Sequence, residues 1–167
     1  MNSQMVREQL ITVQNVMNTA VDEISEYLNH YTIHDMLKED GSQNKEYYAL
    51  LLKTLRRLEV FCEEAFHKVT LLLQRHPFQQ QPAEKVLYGI HHQCVLEFFS
   101  PRSDAWSENS RAAYTGKTAI SYYDQPPYSF RKLMTELEDG FQKCREDLSY
   151  FETDYNGRFS NKTKGMS

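Results

Sequence analysis

At 167 residues the chain is long enough for one domain with a single core and too short for two comfortable ones. A net charge of −4 excludes a protein whose main task is to coat nucleic acid, which needs a concentrated basic face. The opening stretch MNSQMVREQLITVQNV has no basic run leading into an apolar one, so neither a signal peptide nor a membrane span is expected and the reading is a cytoplasmic protein.

In chain order, Val6, Leu10, Val13, Met17, Ala20, Ile24, Tyr27 and Tyr31 alternate spacings of four and three. That period predicts a long amphipathic first helix ending near Tyr31. Thr32 to Lys38 reads as a continued or kinked turn, and Glu39-Asp40-Gly41-Ser42 as the stop. From Asn44 the pattern resumes at Tyr48, Leu51, Leu55, Leu58, Cys62, Ala65, Val69, Leu72 and His76, and Pro77 ends this second helix. Pro82 suits the first turn of a third helix, with Ala83, Leu87, Ile90, Cys94 and Phe98 inward and an end near Phe99. Ser129 is the expected N-cap of a fourth helix carrying Phe130, Met134, Leu137, Phe141, Cys144, Leu148, Phe151 and Tyr155.

The fold class is therefore mainly α, an antiparallel four-helix bundle with an irregular insertion between helices three and four. Residues 1–156 form one domain that includes the insertion at 100–128, and the small, polar residues 157–167 are expected to fray as a flexible tail. The insertion holds the chain's one tryptophan and three of its five prolines. Within it, Arg111 to Tyr114 and Thr118 to Tyr122 flank a glycine turn and predict a small β-hairpin. The third helix is shorter than the first two, and the insertion is placed to cover what it leaves open.

Each motif has a plainer reading beside its chemical one. Glu64-x-x-His67 has the spacing of a di-iron bundle helix, but the second Glu-x-x-His that such a site needs is missing from the sequence. His30 and His34, with His67, His91 or His92, could make a three-histidine site, yet histidine near a helix end commonly does no more than favour the dipole. Gly116-Lys117-Thr118 copies the end of a phosphate loop, but Arg111 stands where that loop needs glycine and a strand comes next in place of a helix. Cys62, Cys94 and Cys144 lack CxxC spacing and fall on apolar stripes, so they read as reduced core thiols. No metal or cofactor is expected.

Arg102, Arg111 and Lys117 could form an anion site, or Arg102 and Arg111 could pin the insertion by pairing with Glu97 or Glu64. Trp106 and Tyr114 are anchors unless exposed, in which case they mark a contact site. Lys53, Arg56 and Arg57 make helix two basic on its outer side, whereas helices one and four are acidic there. Such faces fit a homodimer through the long helices or a partner helix; a solvated charged surface is the simpler meaning.

The segment AEKVLYGIHHQCVLEFFSPRSDAWSENSRAAYTGKTAISYY at 83–123, with LRRLEVFCEE at 55–64 and SYFETDY at 149–155, resembles the YpuI-like family, short cytosolic proteins of Bacillus-type bacteria that form a domain of unknown function. The resemblance spans nearly the whole chain. It implies a single-domain bacterial protein and brings no activity or catalytic residues.

With no assembled catalytic constellation, the leading expectation is a non-enzymatic protein-interaction module presenting the 100–128 insertion. The candidate contact residues are Trp106, Arg111, Tyr114, Lys117, Arg102 and His91. The alternative is an enzyme or binder of a small ligand or anion, with a pocket between the insertion and helices two and three. It would use Arg111, Tyr114, Lys117, His91 and Glu63 or Glu64. Weak nucleic-acid binding through Arg56 and Arg57 is the third reading.

Overall fold

A computed structural model of the chain describes residues 2–109 and 119–164, with side chains as far as residue 149. The first helix, α1 (Ser3–His30), begins where the Asn2 side chain accepts from the Met5 amide and ends at extended Tyr31. Its predicted stripe from Val6 to Tyr27 is buried throughout. A one-turn helix, α2 (Ile33–Leu37), comes next behind a reciprocal capping box between Thr32 and Asp35. The kinked turn expected there is thus a separate capped helix.

Asn44 caps α3 (Lys45–Gln74) by accepting from the Tyr47 amide, and extended Arg75 closes it just before the cis His76–Pro77 bond. The predicted third helix is three pieces in line. Helix α4 (Gln80–Ile90) carries Pro82 in its first turn, a π-helical turn spans His91–Val95, and α5 (Leu96–Phe99) completes it. In the π turn the Leu96 amide reaches back to the His91 carbonyl, which admits one extra residue. The inner face therefore advances by one position, and Ile90 and His91, Cys94 and Val95, and Phe98 and Phe99 are buried as adjacent pairs.

The last helix, α6 (Tyr128–Lys164), corrects one expectation. It starts one residue ahead of Ser129, so Ser129 is not its N-cap. The Ser129 amide and hydroxyl instead both donate to the Glu39 carboxylate, at 3.0 and 2.5 Å. The cap comes from the loop after α2 because Pro127 leads straight into helical geometry and leaves the first-turn donors unfilled. Helical backbone runs on to Lys164.

Side-chain contacts fix the directions. Gln14 bonds Thr70 and Arg7 lies over the Phe78 ring, so α1 and α3 run antiparallel. Tyr27 meets Ser129 while Gln9 meets the Asp147 carbonyl, so α1 and α6 do too. Ser3 bonds Gln80, which sets α4 parallel to α1. This is an antiparallel four-helix bundle with an up-down-up-down course.

The insertion contains an antiparallel pair, β1 (Trp106–Glu108) and β2 (Ile120–Tyr122), with Trp106 opposite Tyr122 and Glu108 opposite Ile120. The expected downstream strand is present, but its partner is Trp106–Glu108. The predicted Arg111–Tyr114 strand and glycine turn lie outside the described residues. The hairpin is tied down on several sides: Tyr47 donates to the Ala105 carbonyl at 2.8 Å, Thr54 meets Ser103 at 2.7 Å, and the Ala119 amide donates to Glu138 at 2.6 Å. Arg145 pairs with Glu108 while its guanidinium stacks 3.5 Å above the Phe99 ring. At the exit of the insertion, Gly41 packs where a Cβ would run into the Tyr48 hydroxyl and stand 3.3 Å from the Gln125 carbonyl. Only glycine lets that loop lie so close.

Candidate functional site

Of the six residues singled out from the sequence, Trp106, His91 and Arg102 lie among the described residues. Trp106 is 1% exposed and donates its indole N–H to the Phe98 carbonyl at 2.7 Å. It fills the seam beside Phe130, at 5.8 Å between ring centroids, and has no surface to offer a partner. His91 is 2% exposed, turned inward by the π turn. Arg102 is exposed and is tied to Glu97 through its backbone amide, at 3.3 and 3.4 Å to the two carboxylate oxygens. Arg111, Tyr114 and Lys117 lie outside the described residues. Of the alternative's carboxylates, Glu63 and Glu64 are exposed on α3, with His67 3.8 Å from Glu63.

The three cysteines are free and buried. The Cys62 thiol is pushed well above its ordinary range by its hydrogen bond with Cys94 and then by burial, and burial raises Cys144 to about 12. Thiols held protonated in this way are poor nucleophiles. Among the described residues no group of three or more His, Cys, Asp or Glu is arranged to hold a metal. No helix among them is long and apolar enough to cross a membrane.

Concavity lies elsewhere, where the end of α1 and α2 meet the start of α6. A cleft of about 690 Å³ there is lined by Glu23, Glu26, Asp35, Glu39 and Glu136, with Tyr27, Tyr31, His30 and Lys132. Tyr27 and Tyr31 stack at 4.5 Å along one wall. Two carboxylates already have duties, Asp35 in the capping box and Glu39 on Ser129. Glu23, Glu26 and Glu136 are left facing one another. Burial, then the charge of Glu136, then that of Glu26, raises the Glu23 pKa. Among the described residues, Glu23 Oε2 is a buried acceptor with no hydrogen-bond partner.

A second groove of about 480 Å³ adjoins the first and runs between β2 and α6. Ile120, Tyr122 and Met134 give it an apolar floor, and Arg131 and Glu138 line it as well. The two share Tyr128, Lys132 and Glu136 as a common ridge. On that ridge Tyr128 is 60% exposed, and nearby Tyr123 is 66% exposed. The signal for this site was present in the sequence as the acidic outer sides of helices one and four. What sequence alone lacks is that chain reversal brings Glu23 and Glu136 to the same end.

The Glu23 environment predicts a pH effect. Its folded pKa lies above the unfolded one, so the ionised carboxylate costs stability, and the favourable contribution present at low pH is lost as pH rises through the folded value. Glu23→Gln should therefore melt above wild type near about pH 7, with the difference shrinking toward zero near about pH 4. Paired thermal melts across that range check it, and a difference that grows on acidification refutes the assignment.

A family model described as a protein of unknown function, DUF3907, matches residues 10–157. The chain belongs to the DUF3907 family. It is 40% identical over 152 residues to the uncharacterized protein YpuI of Bacillus subtilis strain 168, covering 91% of this chain and 84% of that protein. No solved structure matches. The DUF3907 match runs from within α1 to within α6 and takes in the insertion, in line with a resemblance over nearly the whole chain.

Proposed function

We propose that the protein is a non-enzymatic binding module for another protein, and that its contact face is the end of the bundle around Tyr128. The insertion contributes its exit, Ile120 to Tyr128, while its tryptophan stays inside as an anchor. One observation carries this reading: two adjoining grooves meet at a ridge topped by an exposed aromatic ring. Rigid, exposed tyrosine beside concave surface is the composition favoured at contact centres. The like-charged carboxylates that crowd the cleft suit attraction of a cation.

Tyr128→Ala removes the ridge ring and touches little of the core, since that ring stands out in solvent with the Arg131 guanidinium 6.0 Å away. It should lower affinity for a protein captured by the wild type at least about tenfold, in the range of a contact hot spot, with an unchanged melting temperature. Leu71→Ala, at another exposed apolar residue on α3, should leave capture intact. Equal capture by wild type and Tyr128→Ala rules out this face.

A further inference from the structure

Resting on that reading, we infer that the grooves take an extended peptide segment of the partner, with a lysine or arginine side chain in the acidic cleft and an apolar side chain in the neighbouring groove. The two concavities differ in chemistry and are divided by one ridge. In the first, carboxylates outnumber the single lysine, and two of the five are committed to Thr32 and Ser129. Among the remaining three, Glu23 is repelled by both Glu136 and Glu26. A cation beside these carboxylates relieves that repulsion. The stacked Tyr27 and Tyr31 provide an aromatic wall for the aliphatic stem of such a side chain.

The second groove asks for the opposite. Its floor is Ile120, Tyr122 and Met134. An apolar side chain fills that floor. A simple polyamine has the cation and no such side chain. On an extended chain, side chains two apart project to the same side about 7 Å from one another. That spacing suits two pockets sharing a wall, so the motif is a basic residue and an apolar one in alternate positions.

The test is a panel of dye-labelled nine-residue peptides read by fluorescence anisotropy against the full chain. Peptides with Lys or Arg two positions from Leu should bind. Replacing the basic residue by Glu, or using the Glu23→Gln, Glu136→Gln double variant, should weaken binding at least about tenfold, as for loss of a charge-assisted contact. Replacing Leu by Ser should also weaken it. The inference falls if acidic peptides bind equally, if the double variant changes nothing, if no peptide binds at millimolar concentration, or if spermidine binds as tightly as the best peptide. Failure of the contact face itself looks different. If the double variant still captures the protein that Tyr128→Ala loses, the face stands and the cationic segment is wrong; if Tyr128→Ala keeps that protein, the face is wrong.

Discussion

Trp106→Ala should destabilise the protein by about 3–5 kcal/mol, the range for truncating a fully buried large aromatic. The ring is 1% exposed, packs against Phe130, and caps the Phe98 carbonyl at the end of α5. Truncation opens a cavity at the seam between hairpin and bundle and leaves that carbonyl without its donor. Against a typical total of about 5–15 kcal/mol, the loss is a large share of the fold's margin. Trp106→Phe separates the two effects: most of the burial survives and the hydrogen bond does not, so a loss of about 1 kcal/mol is expected. Urea unfolding tracked by far-UV circular dichroism measures both. Near-wild-type stability for the alanine variant would show that the hairpin is not anchored through this ring.

Phe141→Ala is the second large effect, again about 3–5 kcal/mol. Phe141 lies flat on Phe98, with ring centroids 4.2 Å apart and planes within 8°, joining α6 to the segment just after the π turn. The site resists collapse because Gly140 beside it already brings α6 onto Val16 of α1, where an added Cβ would sit 3.2 Å from the valine methyl. Phe98 is common to both predictions, as stacking partner of Phe141 and acceptor for Trp106. The double variant should therefore depart from additivity by more than the ~0.5 kcal/mol scatter of independent sites. A strictly additive double variant would mean that hairpin and bundle core are uncoupled at Phe98.

The helices were legible in the sequence because they obey one period. Stripes from Val6 to Tyr27 and from Tyr48 to Leu72 are buried as the spacing predicts, and Asn2 and Asn44 cap α1 and α3. The π turn was not legible as such, since a stripe at Ala83, Leu87, Ile90, Cys94 and Phe98 satisfies an ordinary helix. The clue was the second row, His91, Val95 and Phe99, running one position behind it. The hairpin was half legible: Ile120–Tyr122 has the composition of a strand, but its partner is chosen by where Trp106 and Glu108 are anchored, by Phe98 and Arg145, which are distant choices. The candidate site was least legible. Its carboxylates are spread over α1, α2, the turn after it and α6, and each alone reads as solvated surface.

The cap on α6 bears on how the chain is made. Glu39, which holds the Ser129 amide and hydroxyl, precedes Ser129 by 90 residues. During synthesis the N-terminal part of a domain appears first, so the loop carrying Glu39 is already outside the ribosome when the last helix emerges. The start of that helix is completed by a residue waiting in place. Removing the loop would strip the cap from a helix whose own sequence is untouched, and the closing element of the bundle would carry the damage.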